Sequence, residues 1–154
     1  MAYVQFYCGD PNAPKPTQRT RLGANVLIVY NGKLLLEKRV DSDLWGLIGG
    51  GTKAHESTLD SIVREVKEEL GLQIPKGKFV KKKIYDEPRR IAAYRDGSVW
   101  RMVIVAYAME LDFLPELKIS KESKELRFFD RDELKNINIV VTHSDIVDEL
   151  FLHK

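Results

Sequence analysis

One stretch of the sequence is apolar almost without interruption: Met102-Val103-Ile104-Val105-Ala106-Tyr107-Ala108. A strand with one face in water alternates apolar and polar residues, whereas a strand covered on both faces is apolar nearly throughout. The stretch therefore predicts the central strand of a sheet that has other elements packed on each face. Because the chain also carries a helical pattern, we expect an α/β fold in which a central mixed sheet lies between helices.

Further strands are indicated on both sides of this stretch. Two apolar runs, 24–30 and 33–39, flank the dipeptide Asn31-Gly32, a combination that is typical of a β-hairpin. Residues 41–55 are expected to form a loop because they contain four glycines. The remaining expected elements are strands at 78–86, 89–94, 99–111 and 125–129, a helical turn at 131–134 and a terminal helix at 143–152.

The segment after the glycines has the spacing of an amphipathic helix. Its apolar residues recur at helical intervals, which places them on one face. Ser57 followed by Asp60 predicts the start of this helix through a capping box, and Gly71 predicts its end. The residues of the apolar stripe are Leu59, Ile62, Val63, Val66 and Leu70.

The length of 154 residues corresponds to one domain. Three prolines lie between positions 11 and 16, and prolines disfavour a helix there. We therefore expect an extended N-terminal lead-in at 1–20 and a single domain at 21–154. Cys8 lies in that lead-in, which we expect to be unstructured, and is not expected to act as a nucleophile.

Composition and charge exclude several classes of protein. With 44% apolar and 31% charged residues, the chain is globular rather than disordered, collagen-like or built of many membrane spans. The 25 basic and 23 acidic residues nearly balance, so nucleic acid is not expected as an obligatory partner. The chain shows no secretory signal, no apolar run long enough for a membrane span and a single cysteine, which together favour the cytoplasm.

The predicted helix carries three carboxylates, Glu65, Glu68 and Glu69, within about 100° of arc. Like charges at these spacings cost an isolated helix roughly 0.2 to 0.5 kcal/mol per pair. Arg64 can offset part of this by pairing with Glu68, and a hard divalent cation such as Mg²⁺ would relieve the rest. A solvated charged helix face is the alternative interpretation.

Residues 50–72 resemble the Nudix box, G-x5-E-x7-R-E-U-x-E-E-x-G-U, in which U is a bulky aliphatic residue. Every fixed position is met, by Gly50, Glu56, Arg64, Glu65, Val66, Glu68, Glu69, Gly71 and Leu72. The resemblance implies a Nudix hydrolase with a Nudix-like α/β/α sandwich fold. Such enzymes cleave nucleoside diphosphates linked to another moiety and use Mg²⁺ or Mn²⁺.

The same resemblance assigns roles to individual residues. It implies that Glu65, Glu68 and Glu69 hold the metal and that the backbone carbonyl of Gly49 is a further ligand. It also implies that Glu56 and Arg64 form an orienting ion pair.

Three further residues are candidates for binding the substrate. Arg89 and Arg90 follow Asp86-Glu87-Pro88, which is similar to a turn that supplies substrate contacts in the family, and arginine suits phosphate. A charged surface turn is an equally good interpretation of these two arginines. Trp45, beside the glycines, could stack on a base or pack in the core.

The general base is sought in the loop ahead of a late strand, because in the family a further acid often comes from there. Glu122 lies in that loop and is our first candidate, and Glu125, which begins the strand, is the second. A base drawn from the helix would leave both as solvated acids. The histidines, His55, His143 and His153, are expected to have surface or capping roles.

The sequence therefore predicts a Mg²⁺-dependent pyrophosphohydrolase with a small nucleotide substrate. Nucleotide sugars, ADP-ribose and nucleoside triphosphates all stay open as substrates, and both a monomer and a homodimer are compatible with the sequence. Unusual loop residues, Ile48, Lys53 and His55, leave open a nucleotide-binding or regulatory domain without turnover. A nucleic-acid-binding module is the weakest alternative.

Overall fold

The computed structural model describes residues 4–153. Its strands are β1 (Val4–Cys8), β2 (Arg21–Tyr30), β3 (Lys33–Arg39), β4 (Trp45–Gly46), β5 (Ile48–Gly51), β6 (Val80–Tyr85), β7 (Arg90–Tyr94), β8 (Val99–Leu111) and β9 (Ser123–Phe129). Its helices are α1 (Thr58–Leu70), α2 (Arg131–Leu134) and α3 (Val141–Val147), with a 3-10 turn at Lys76–Lys78 and a π-helical continuation of α3 at Asp148–Leu152.

The sheet is mixed. β2 and β8 run parallel, in register from Arg21 opposite Met102 to Tyr30 opposite Leu111. Every other strand pair in the described residues is antiparallel, and the main strand order is β1-β7-β8-β2-β3-β4. Off this order, β5 pairs with β2, β6 with β8, and β9 with β3. This arrangement puts β8 in the centre, as its apolar run predicts.

Both faces of the sheet are covered by helices. Residues Ile104, Val105, Ala106 and Tyr107 of β8 are buried and point alternately to the two faces. One face packs on α1 through Ile62, Val66 and Leu70, and the other packs on α2 and the C-terminal helix through Leu134, Ile146, Val147 and Phe151. The predicted α/β/α sandwich with a central mixed sheet is therefore confirmed.

Local signals account for the turns and helix ends. Asn31 and Gly32 both have positive φ, 51° and 76°, as the two-residue turn between β2 and β3 requires. Helix α1 begins with the predicted capping box, in which Ser57 and Asp60 each bond to the other's backbone N–H. It ends at Gly71 in the left-handed conformation, with φ of 72°.

Two sequence-based predictions need correction. The lead-in at 1–20 is not free of structure, because β1 pairs along its whole length with β7 and so belongs to the sheet. The β-branched and aromatic residues Val4, Phe6 and Tyr7 were the available signal, and the prolines that follow obscured it. The expected loop at 41–55 contains β4 and β5, since glycines can also line a strand where other groups approach closely. Residues 1–3 of the lead-in and Lys154 of the domain lie outside the described residues.

None of the helices formed by residues 4–153 combines the length and the apolar character needed to cross a bilayer.

Candidate active site

A cavity of about 510 Å³ opens beside β5 and α1. This volume is within the range of small-molecule sites. Strands β2 and β3 and the loop before β9 close other sides, and β1, β7 and β8 contribute a partly apolar wall through Phe6, Tyr94 and Met102. The box glutamates Glu65 and Glu69 line it.

The glycines of β5 let the helix approach the strand. At Gly49, φ is +143° and a Cβ would lie 2.1 Å from the carbonyl oxygen of Ala24, so no other residue fits there without a backbone shift. The N–H of Gly49 donates to Oε2 of Glu69 at 3.2 Å. At Gly50, a Cβ would lie 3.0 Å from Oε1 of Glu65. Both carboxylates therefore lie directly against the backbone of β5.

Glu69 and Glu65 are buried, with 2% and 8% of their surface exposed. The carboxyl group of Glu69 lies in the same cavity as those of Glu65 and Glu37, close enough for their charges to act on it. Burial, followed by the charges of these two neighbours, raises the pKa of Glu69 far above its usual range. The helical spacing predicted that the acidic face of α1 lies beside its buried face. In the structure, Glu65 and Glu69 lie on the buried face itself.

Glu37 is a residue that the sequence analysis missed. It lies on β3, is 2% exposed and lines the same cavity. The hydroxyl of Ser123 donates to its Oε2 at 3.2 Å, and burial raises its pKa. A signal was present, since Leu34-Leu35-Leu36-Glu37 places a charge on the side of the strand that Leu35 directs into the core.

Arg64 holds the acidic groups around it in place. Its Nε and Nη2 donate to the two carboxylate oxygens of Glu56 at 2.8 and 2.9 Å, and its Nη2 also donates to the carbonyl of Gly51 at 3.1 Å. Its Nη1 donates to Glu65 at 2.8 Å. The hydrogen bonds from Arg64 are the main reason that the pKa of Glu56 falls to about 2. The geometry of the Glu56–Arg64 pair is that of the ion pair implied by the resemblance.

Glu68 differs from the other two box glutamates. Its side chain is 56% exposed and does not line the cavity. It accepts a hydrogen bond from Nη1 of Arg64 at 3.2 Å, the i,i+4 pair expected from the sequence. Glu68 and Glu65 therefore accept hydrogen bonds from the same nitrogen of Arg64, but Glu68 is not buried with Glu65 and Glu69.

The two candidate bases are separated by the structure. Glu122 lines the cavity. Glu125, on β9, lies outside the cavity lining and is paired with Arg127, whose Nη2 lies 2.6 Å from its Oε2. Of the two, only Glu122 is in a position to reach a ligand in the cavity.

The structure places none of the three predicted substrate contacts in the lining of the cavity. Arg90 is 0% exposed, donates to the carbonyl of Thr142 at 3.2 Å and is paired with Asp145. Arg89 also pairs with Asp145, at 2.7 Å, and does not line the cavity. Trp45 is buried against Phe129, with ring centroids 4.8 Å apart. The two arginines therefore join α3 to the sheet through Asp145. Trp45 packs in the core, which was the alternative interpretation of this residue.

His143 is buried and lines the cavity, so it does not have the surface position that was one of the two expected for it. Its Nδ1 accepts a hydrogen bond from the backbone N–H of Leu47 at 3.1 Å. Burial lowers the pKa of this imidazole to about 3, so it is neutral at physiological pH. It fixes the backbone just before β5.

A family model described as the NUDIX domain matches residues 19–150, which is most of the chain. The chain belongs to the NUDIX family. The resemblance read from residues 50–72 is thus confirmed.

Several proteins are similar to this NUDIX chain in sequence. It is 35% identical over 115 residues to the ADP-ribose pyrophosphatase of Methanocaldococcus jannaschii, an alignment that covers 72% of this chain and 62% of that protein. It is 40% identical over 58 residues to the CTP pyrophosphohydrolase of Escherichia coli, covering 35% of this chain and 43% of that protein. The chain thus spans less than two thirds of the length of these relatives.

Solved structures share the fold. The bifunctional NMN adenylyltransferase/ADP ribose pyrophosphatase of Francisella tularensis, complexed with AMP and a Mn ion, matches with a TM-score of 0.73 and 20% identity over 90% of this chain and 43% of that one. The NUDIX domain of Shewanella oneidensis NrtR, complexed with ADP ribose, matches with a TM-score of 0.68 and 16% identity over 94% and 92% of the two chains. At these identities the matches show the fold alone.

The acidic group of this NUDIX chain has the chemistry of a divalent-cation site, although it is not a complete ligand set as it stands. Among residues 4–153, no three Asp, Glu, His or Cys side chains are already arranged around a common metal position. Carboxylates buried together repel one another, and a bound cation removes that repulsion. The all-oxygen donors of Glu65, Glu69 and Glu37 fit Mg²⁺ or Mn²⁺.

Proposed function

We propose that the protein is a pyrophosphohydrolase that requires Mg²⁺ or Mn²⁺ and cleaves the diphosphate linkage of a nucleoside diphosphate derivative. One observation carries the proposal: Glu65 and Glu69 are buried side by side against a glycine strand in a cavity of small-molecule size. Burying two carboxylates together is costly unless a cation or proton joins them. Buried carboxylates whose pKa is strongly shifted are typical of functional sites.

Glu65 and Glu69 are the proposed main metal ligands. Glu68 can join them by leaving Arg64, and the carbonyl of Gly49, next to Glu69, is a further proposed ligand. When bound, a divalent ion screens the phosphate charge and lowers the pKa of water for attack on phosphorus. The role of the protein is to hold the carboxylates rigidly, which Arg64 and the backbone of β5 do.

Arg64 and Glu56 are proposed as positioning residues. The bidentate pair fixes the guanidinium, and the guanidinium in turn fixes Glu65 by its hydrogen bond of 2.8 Å. A side chain that is held before the substrate binds loses less conformational entropy in the reaction. Changes at Glu56 should therefore act through the orientation of Glu65.

Glu122 is the proposed general base. It lines the same cavity as Glu65 and Glu69, where its carboxylate can accept a proton from the attacking water. Glu125 is the weaker candidate, because Arg127 holds it outside the cavity.

The substrate class is proposed from the cavity and from the relatives. ADP-ribose is named in the M. jannaschii relative and in the F. tularensis and S. oneidensis structures, whereas CTP is named in the E. coli relative. ADP-ribose is therefore the first substrate to test. Nucleotide sugars and nucleoside triphosphates follow.

The test is a panel of ADP-ribose, nucleotide sugars, nucleoside triphosphates and dinucleotides with Mg²⁺ or Mn²⁺, with products resolved by ion-exchange chromatography. We expect release of a nucleoside monophosphate or a phosphate product from at least one member. Glu69→Gln should lower kcat by about 100-fold or more, whereas Glu116→Gln, an exposed acid outside the cavity, should not. Nucleotide binding without product over hours would instead indicate a binding domain without turnover.

Two earlier expectations stay predictions. A cytoplasmic location can be tested by fractionation of the source cells. A homodimer can be tested by light scattering of the purified protein.

A further inference from the structure

One arginine in the cavity is held in place by neutral groups and not by an acid. Arg39 and Arg64 both line it, but each is already held by carboxylates. Arg39 donates to both oxygens of Asp41, at 2.8 and 2.6 Å, and Arg64 is held by Glu56. Arg21 also lines the cavity, and among residues 4–153 no carboxylate lies within 4.0 Å of its guanidinium. Its charge is therefore available to a ligand.

Neutral groups hold Arg21 in place. Its Nη1 donates to the phenol oxygen of Tyr94 at 3.1 Å, and its guanidinium carbon lies 5.8 Å from the ring centroid of Trp100. A hydroxyl and an indole orient a guanidinium without neutralising it. Arg21 is thus half-buried and already oriented. Because the side chain is held before an anion arrives, it loses less conformational entropy when the anion binds.

The guanidinium of Arg21 and the acidic group both lie against the glycine strand. A Cβ on Gly51 would lie 3.1 Å from Nη2 of Arg21, and a Cβ on Gly50 would lie 3.0 Å from Oε1 of Glu65. Consecutive residues of a strand are about 3.3 Å apart along its axis. Because successive residues of a strand point to opposite faces, the guanidinium and the proposed metal-binding carboxylates meet β5 from its two sides, at adjacent glycines, and both line the same cavity.

We propose that Arg21 binds a phosphate group of the substrate beside the metal-binding carboxylates. The identity of the ligand rests on the proposed function. A diphosphate carries anionic oxygens on both phosphorus atoms, so one phosphate can face the metal while the other accepts hydrogen bonds from the guanidinium. The planar fork of arginine matches two phosphate oxygens, which a lysine ammonium cannot do.

The test uses α,β-methylene-ADP, a diphosphate that cannot be hydrolysed at the bridge, titrated calorimetrically with Mg²⁺ present. We expect Arg21→Gln to weaken binding by about 10- to 100-fold, the usual effect of losing a charge-assisted hydrogen bond to a charged partner. Arg21→Lys should bind with intermediate affinity. Arg19→Gln is the matched control, because Arg19 lies two residues earlier, is exposed and does not line the cavity; its affinity should equal that of the wild type.

A second measurement separates binding from folding. The affinity for Mn²⁺ without nucleotide, measured by electron paramagnetic resonance, should be no weaker in Arg21→Gln than in the wild type, because Arg21 supplies no metal ligand and its loss removes a positive charge that repels the cation. Tyr94→Phe, which removes the hydroxyl that holds Arg21 but keeps the ring, should weaken nucleotide binding by a few-fold.

The outcomes distinguish this inference from the proposed function. Wild-type affinity for α,β-methylene-ADP in Arg21→Gln would overturn the role of Arg21 even if the enzyme hydrolyses its substrate. Absence of binding to the wild type would overturn it as well. Binding that depends on Arg21, in a protein that hydrolyses no member of the substrate panel, would support the inference and refute the proposed function.

Discussion

Replacing Glu69 by Gln should stabilise the metal-free protein. Glu69 is 2% exposed and lies near the charges of Glu37 and Glu65, so burial and these charges hold its pKa in the folded protein well above 4.5, the usual value for a glutamate. Above pH 4.5 the unfolded chain releases this proton while the folded chain retains it. Because the folded state then binds more protons, the free energy of unfolding falls as pH rises, by up to about 1.4 kcal/mol per pH unit for one group.

The magnitude follows from this slope. Between pH 4.5 and pH 7, one retained proton costs about 3 kcal/mol. Gln has nearly the same shape, releases no proton in either state, and can still accept the hydrogen bond that the N–H of Gly49 now gives to Glu69. Glu69→Gln should therefore raise the free energy of unfolding at pH 7 by about 2 to 3 kcal/mol, and the Tm by roughly 5 to 10 °C.

The assay is thermal and urea unfolding of the wild type and Glu69→Gln in EDTA, at pH 4.5 and at pH 7. The matched control is Glu68→Gln on the same helix, whose side chain is 56% exposed and whose change should stay within about 0.5 kcal/mol. The gain in Glu69→Gln should be present at pH 7 and nearly absent at pH 4.5. A variant no more stable than the wild type at pH 7, or equally stabilised at both pH values, would refute the account of the buried acids.

Three further outcomes are expected. Gly49→Ala should unfold more readily by about 3 kcal/mol or more in urea, because its Cβ would lie 2.1 Å from a backbone oxygen at a φ of +143°; stability equal to the wild type would contradict this. Glu122→Gln should lower kcat and alter its pH profile while Glu125→Gln changes neither, and the reverse result would exchange their roles. Arg90→Met should lower the free energy of unfolding by about 3 kcal/mol and leave KM unchanged, whereas a raised KM at wild-type stability would restore Arg90 to the substrate site.

Features that depend on a few neighbouring residues could be predicted from the sequence. The hairpin at Asn31-Gly32 follows from two positive φ angles, and the ends of α1 follow from Ser57 and Gly71. The central position of β8 follows from its composition, because a strand exposed on one side could not be apolar throughout. The bidentate pairing of Glu56 with Arg64 was implied by the family motif and is present.

Features that depend on distant partners could not be predicted in this way. Arg90 has the local sequence of an exposed turn, and only its contacts with Thr142 and Asp145, more than fifty positions later, bury it. Glu37 joins the acidic group because β3 and α1 line the same cavity; the local pattern indicates that Glu37 is buried but not which acids it meets. Strand β1 exists because β7 pairs with it, and a segment of five residues carries too little pattern to indicate its partner.

The most direct measurement of the central claim is Mn²⁺ binding to the nucleotide-free protein, followed by electron paramagnetic resonance. The account predicts that the wild type and the exposed-acid control Glu116→Gln bind Mn²⁺ with the same affinity. It predicts that the double variant Glu65→Gln with Glu69→Gln loses this binding while remaining folded and at least as stable without metal. Equal Mn²⁺ affinity in the double variant and the wild type would show that the buried carboxylates beside β5 do not hold the metal, and would contradict the proposed site.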